Sequence, residues 1–459
     1  MANNDDQHGM VDRLGGEDVG ERTPIKQVAF ASMIGTTIEW YDFFLYGTAA
    51  ALVFNQLFFP TFEPLAGTLA AFGTYAVGFF ARPVGGIVAG HYGDKIGRKA
   101  MLVLTLMVMG VATVLIGLLP TYESIGVWAP ILLVTMRIFQ GLGVGGEWGG
   151  AVLMAVEHSP PNRRGFYGSW PQIGVPLGLL SANLVYLLVS QSMSEAAWLA
   201  YGWRIPFLLS ILLIAVGLFI RLRIAETPAF EQVRESHTEA GMPIVDVVRT
   251  YPKQVLQAMG MRIAENGAFY IFSVFVLTYV SQQLGLESST AQTGILIGAG
   301  LGLASLPFFG WLSDRIGRRP VYLFGAVFSL LFAFPFFWLM NTESTILIWL
   351  AIILSLVLGH DAMYGPQAAY FCELFSTRVR YSGASLGYQL ASVLAGGLSP
   401  LIATALLGYY GYTAVAWYLA GMALITVIAV VSAAETFRGD LIEDRPEEDP
   451  ALRPEAGAR

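Results

Sequence analysis

The sequence predicts an all-α membrane protein in which twelve transmembrane helices form two pseudo-symmetric six-helix bundles. Three observations carry that expectation. Apolar segments of spanning length recur along the chain, lysine and arginine concentrate in alternate connections, and one charged loop motif occurs twice at corresponding places.

Composition and length supply the first. Of 459 residues, 55% are hydrophobic and 13% charged, with a mean hydropathy of +0.59, against roughly a quarter charged in a soluble protein. A helix needs about 20 apolar residues to cross roughly 30 Å of hydrocarbon. Twelve such segments lie between residues 27 and 433, with glycines (51 in the chain) placed inside them, where small residues let helices approach closely in lipid.

Charge placement supplies the second. All but four of the 26 lysines and arginines precede the first span, follow the second, fourth, sixth, eighth and tenth, or lie in the C-terminal tail. Cytoplasmic loops retain positive charge, so both termini are expected in the cytoplasm. The exceptions, Arg82, Arg137, Arg204 and Arg262, lie inside spans or at their edges. Residues 1–23 are polar and acidic without an apolar core, so no cleaved signal peptide is expected and the first span directs insertion. The acidic clusters Asp5 to Glu21 and Glu435 to Asp449, within a net charge of −7, read as solvated tails. Nothing calls for nucleic acid, an obligate protein partner or a cofactor. The one cysteine, Cys372, leaves no intramolecular disulfide, cysteine-rich metal site or iron–sulfur cluster.

The third observation is the repeat. GHYGDKIGRK at Gly90 to Lys99 recurs as GWLSDRIGRR at Gly310 to Arg319, each between the second and third span of a six-span set. Glu157, Arg163, Arg164 and Gly168 correspond in order to Glu373, Arg378, Arg380 and Gly383. The expected division is a cytoplasmic tail (1–26), a first bundle (27–222), a cytoplasmic linker (223–252), a second bundle (253–433) and a C-terminal tail (434–459).

The doubled GxxxD(R/K)xGR(R/K) loop resembles that of the major facilitator superfamily, and the resemblance covers nearly the whole chain. Within it, TTIEWYDFFLYG (Thr36 to Gly47), ARPVGG (Ala81 to Gly86), QGLGVGGEWGGA (Gln140 to Ala151), GWRIPF (Gly202 to Phe207) and ETPAF (Glu226 to Phe230) are similar to the metabolite:proton symporter family. That family includes carriers of proline and glycine betaine, shikimate and 2-oxoglutarate. The resemblance implies a secondary active transporter of the cell (inner or plasma) membrane, taking up a small carboxylate-bearing metabolite with protons by alternating access. GVPLG at Gly174 to Gly178 lacks the glycine–proline pair of the superfamily's antiporters. A facilitated-diffusion uniporter is the nearer alternative, a membrane sensor or channel the remoter one. No nucleophile–base or metal-ligand constellation suggests an enzyme. Gly141, Gly143 and Gly146 match GxGxxG, but no strand precedes them and they lie in an apolar span.

An ionisable group near the bilayer centre costs about 2.5–3.5 kcal/mol, so intramembrane charges face a wet or paired interior. The resemblance implies that spans one, four, seven and ten line the cavity, and these carry Glu39 and Asp42, Arg137, Arg262 and Glu265, and His360 and Asp361. Glu39 and Asp42 share a helix face, with Tyr46 a turn further, roughly 18–22 Å deep. Either acid is a candidate proton carrier, against a structural ion pair. Arg137 heads RIFQGLG, similar to the superfamily's arginine–glutamine–glycine motif, and is a candidate for proton coupling and substrate binding, against permanent pairing with Glu39 or Asp42. Arg262, Glu265 and Asn266 share a face and, with Tyr46 and Asp361, are candidate substrate ligands. Arg262 and Glu265 neutralising one another is the alternative. His360 beside Asp361 is a candidate relay, although neighbours on an α-helix point about 100° apart. Asp94, Arg98, Asp314 and Arg318 are the candidate gate in the repeated loop, and Arg82 and Glu147 are gate or helix-contact groups. Trp148 and Trp170 are candidate walls around a quaternary ammonium, against simple packing.

Overall fold

The structure is a computed structural model and describes residues 24–96, 98–223, 243–375 and 380–437. Twelve helical spans follow one another: α1 (Ile25–Leu52), α2 (Pro64–Ile96), α3 (Arg98–Leu118), α4 (Trp128–Glu157), α5 (Pro161–Gln191), α6 (Arg204–Arg223), α7 (Pro252–Gln283), α8 (Ser288–Ile316), α9 (Arg318–Met340), α10 (Thr345–Glu373), α11 (Arg380–Tyr410) and α12 (Tyr412–Ser432). Nine of them are long and apolar enough to cross a membrane, and ten with α6 joined to Glu195–Gly202 across a 46° bend. The other two, α1 and α2, have 28 and 33 residues and carry the buried charges Glu39, Asp42 and Arg82. At about 1.5 Å per residue both exceed the roughly 30 Å needed. An even number of spans puts the start of α1 and the end of α12 on one face, here the terminal face.

The packing repeats with a shift of six helices. In the first half α1 packs on α5, α2 on α4, and α3 on α4 and α6; in the second α7 packs on α11, α8 on α10, and α9 on α10 and α12. Between halves α5 packs on α8, and its symmetry mate α11 packs on α2. Lipid tails are as apolar as leucine, so close van der Waals fit holds these pairs. A Cβ on Gly141 would run into the Gly78 carbonyl oxygen, and one on Gly145 into that of Arg82, so α2 and α4 touch backbone to backbone. Gly174 and Gly178 serve the same purpose for α5 on α1, where a Cβ would lie 2.8 Å from the Thr37 nitrogen and 2.7 Å from that of Tyr41.

Helix ends are capped by distant side chains. Arg204 donates to the carbonyls of Gly117 (3.0 Å) and Leu119 at the end of α3, meeting acceptors a helix C-terminus leaves open. Gly317 (φ 109°) makes the tight turn between α8 and α9, and Glu435 accepts from the Arg318 and Arg319 amides (2.9 and 3.0 Å) at the start of α9. Composition assigned Glu435 to a solvated tail. Instead the chain after α12 folds back onto the α8–α9 turn, and Thr436 donates to Glu373 at 2.6 Å. Four orphan amides at a helix start favour a carboxylate, a demand set by a partner 117 residues away.

Candidate transport site

Two buried guanidinium groups share one aromatic ring at the centre of the first half. Arg82 from α2 and Arg137 from α4 are 2% and 1% exposed. The Arg82 carbon lies 4.4 Å from the centre of the Phe43 ring and 4.2 Å from that of Phe79. The Arg137 carbon lies 4.6 Å from Phe43, 4.3 Å from Tyr46 and 4.9 Å from Tyr75. Aromatic faces carry negative potential that favours such cations. Neither arginine has a carboxylate partner among the described residues, and Nε and one terminal nitrogen of each lack any hydrogen-bond acceptor. Buried donors of this kind are costly and mark a place suited to an anion. The cluster reaches the second half through Tyr270, whose ring lies 5.9 Å from Phe43 and 5.4 Å from Phe79, while Phe44 meets Phe269 at 5.8 Å.

Asp42 faces away from this cluster. Its carboxylate accepts from Ser210 of α6 at 2.6 Å and Thr113 of α3 at 2.9 Å. Thr113 accepts from the Gln140 amide at 2.6 Å, and Gln140 accepts from Arg137 at 2.9 Å. Asp42 and Arg137 are therefore linked through two neutral side chains. Thr113 also lies 3.1 Å from the Met109 carbonyl, a second acceptor for the same hydroxyl. Glu39, one turn earlier, is 3% exposed. Tyr46 donates to Thr74 at 2.6 Å.

The second half gathers its charges into one network. Arg262 donates to Glu265 at 2.5 Å, Gln367 at 2.9 Å and Ser392 at 3.1 Å. Gln367 donates to Glu265 at 3.0 Å and Tyr322 at 2.7 Å. His360 lies 3.2 Å from Glu265 through Nε2 and 2.9 Å from Asp361 through Nδ1, and Ser305 donates to Asp361. His360 closes the π-helical turn Ser355–His360, where successive residues turn through a smaller angle than in an α-helix, which brings these chain neighbours into contact. Asn266 is 2% exposed, and its Oδ1 has no donor.

Toward the terminal face the halves close on one another. Trp148 of α4 stacks on Tyr388 of α11 with centres 3.6 Å apart, and Arg262 covers Tyr388 at 3.2 Å. Trp148 also donates to Gln172 at 3.2 Å, and the face that Tyr388 covers is not open to an ammonium group. Asp314 accepts from the Gly165 and Phe166 amides, both at 2.8 Å, and from Arg318 at 2.7 Å. Arg318 further binds Glu373 at 3.1 Å. The Asp94 and Arg98 side chains lie outside the described residues. Glu147 is buried beside Trp148, just after the interruption of α4 at Gly146, whereas Arg82 joins the central ring cluster. Sequence reasoning missed Phe43, Thr113, Gln367 and Ser305. Gln140 stood in the quoted RIFQGLG motif and Phe43 in TTIEWYDFFLYG, but nothing local marks Thr113, Gln367 or Ser305.

The comparisons agree with this architecture. The family model described as Major Facilitator Superfamily matches residues 32–396. The chain is 43% identical to a shikimate transporter of Escherichia coli (strain K12), over 90% of this chain and 95% of that one. It is 35% identical to the glycine betaine/proline/ectoine/pipecolic acid transporter OusA of Dickeya dadantii (strain 3937), over 90% and 84%. The crystal structure of a D-xylose-proton symporter has the same fold, with a TM-score of 0.70 at 18% identity over 92% of this chain and 100% of that one. The chain belongs to the Major Facilitator Superfamily, as a transporter of its metabolite:proton symporter family.

Proposed function

We propose that the protein is a proton symporter that carries a small organic acid inward across the inner membrane, with the terminal face and both tails in the cytoplasm. The retention of positive charge on that face supports the orientation, and a 41% identical relative named an inner membrane metabolite transport protein supports the membrane. The carrying observation is the pair Arg82 and Arg137, buried on Phe43 without a carboxylate partner among the described residues. A substrate carboxylate supplies the missing acceptors, since guanidinium forks fit carboxylates in two-point contact. Two cations repel a quaternary ammonium, which favours an organic acid over betaine. Asp42 takes the proton, and the Thr113–Gln140 chain reports its state to Arg137. Coupled rocking of the two bundles, 27–222 and 253–433, alternates access.

Uptake into proteoliposomes tests this reading. An inside-alkaline gradient of one pH unit gives up to about tenfold accumulation per proton. Labelled shikimate should accumulate, glycine betaine should compete poorly, and Asp42→Asn should keep exchange but accumulate less. An unchanged pH-driven accumulation ratio in Asp42→Asn rules out the role given to Asp42, and better uptake of betaine rules out the organic acid.

A further inference from the structure

His360 sits where a neutral imidazole does not fit. Glu265 Oε1 lies 3.2 Å from Nε2 and Asp361 Oδ1 lies 2.9 Å from Nδ1, and His360 is 4% exposed. An ionised carboxylate only accepts, and a neutral imidazole has a single N–H. One of the two contacts would then set a ring lone pair against a carboxylate oxygen. Both contacts become hydrogen bonds once an additional proton resides on this triad. The same count follows from charge. Arg262 offsets Glu265, leaving Asp361 as uncompensated negative charge in a dry interior unless His360 is an imidazolium.

Among the described residues, the remaining surroundings supply no other cation. Glu265 faces the ring from α7 with Arg262 paired to it, Asp361 and Tyr364 face it from α10, and Tyr322 of α9 and Tyr388 of α11 stand behind through Gln367 and Arg262. The contact from α8 is Ser305, which is neutral and donates to Asp361. Asp42 belongs to the other half and hydrogen bonds to α3 and α6, so the two acidic sites are separate.

We propose that the Glu265–His360–Asp361 triad is a second proton-binding site, whose proton crosses with the solute in addition to the one assigned to Asp42. The proton binds from water on the entry face, shared between the ring and the two carboxylates, and returns to water on the exit face with no other bond made or broken. The triad lies on α7 and α10, beside the Arg262–Tyr388–Trp148 stack that closes the terminal face. Loss of the proton leaves one of the two carboxylates facing the ring's lone pair, which loosens α7 from α10 at the place where that closure is anchored. This inference rests on the carrier reading above and adds one charge to its stoichiometry.

Two measurements on the full-length protein decide it. The first is nitrogen-15 NMR of labelled histidine in nanodiscs, with the His360 signal assigned by difference from His360→Gln. Both ring nitrogens should carry hydrogen at pH 7, and Glu265→Gln should remove that state. A single neutral tautomer at pH 7 overturns the proposal, and this readout needs no transport activity. The second is the reversal potential of shikimate uptake in proteoliposomes, which gives the charge moved per solute. His360→Gln should move one charge fewer than the unaltered protein, and His360→Asn should agree. Equal charge in the unaltered protein and an active variant overturns the travelling proton. Failure of the Asp42 reading appears separately, as an Asp42→Asn variant that moves as much charge per solute as the unaltered protein.

Discussion

Trp148 and Tyr388 lie face to face across the two halves, their planes 17° from parallel. Trp148 is eleven residues beyond Arg137 on α4, about 16 Å closer to the terminal face by helical rise. A solute held by Arg137 and leaving toward that face must part the stack. An aromatic pair contributes about 0.5–1.5 kcal/mol beyond burial, so Tyr388→Ala should shift the closed-to-open balance roughly 2- to 13-fold. Ser385, three residues before Tyr388, is buried against Gly149 of α4, and labelling of Ser385→Cys in a Cys372→Ser background by a bulky maleimide reads this. An unchanged rate removes the stack from the gate.

Asp314 ties α8 to the start of α5 through two backbone amides and to Arg318 through a buried ion pair. Hydrogen bonds to charged groups contribute about 1.5–3 kcal/mol each. Asp314→Asn keeps the shape and loses the charge, so the closed terminal face should weaken by on the order of 2 kcal/mol, or about 30-fold. Hydrogen exchange at Gly165 and Phe166 should accelerate accordingly, and unchanged protection there contradicts a latch.

Thr113 is the narrowest point of the link between Asp42 and Arg137. Thr113→Val keeps the volume while removing both the donor to Asp42 and the acceptor for Gln140. Accumulation driven by a pH gradient should fall while exchange persists, because the site loses the hydrogen bonds that join Asp42 to Gln140 and keeps its shape. Thr113→Ser should restore accumulation. Equal coupling in Thr113→Val breaks the chain as a route of communication.

Arg82 and Arg137 differ in what they already hold, since Arg137 donates to Gln140 and Arg82 has only ring contacts among the described residues. Arg82→Lys keeps the charge and loses the planar fork. The apparent affinity for shikimate should fall about 10- to 100-fold, the range for a charged hydrogen bond, with maximal rate less affected. An unchanged KM for uptake by Arg82→Lys places the carboxylate elsewhere.

The spans and their two-fold repeat were legible because each depends on local properties: apolar length, basic loops and a motif copied as Gly90 to Lys99 and Gly310 to Arg319. The side-chain pairings were less so. Helical spacing puts Glu39 and Asp42 on one face, but the turn of Asp42 toward Thr113 and Ser210 depends on residues 71 and 168 positions away. Arg82 read as an end-of-span group because depth was counted along a helix, whereas its side chain reaches the Phe43 ring. The contact between His360 and Asp361 depends on a π-helical turn that no residue in the sequence announces.

Backbone contact between α2 and α4 has a consequence for selectivity. A Cβ on Gly145 would collide with the carbonyl of Arg82 itself, four residues beyond the Gly78 carbonyl that meets Gly141. Helices in contact at that separation resist sliding, so on the carrier reading proposed above the two guanidinium groups form a caliper with a fixed opening. Solutes should be sorted by the width of the acid group they offer, and larger side chains at Gly145 should reset the gauge before they unfold the bundle.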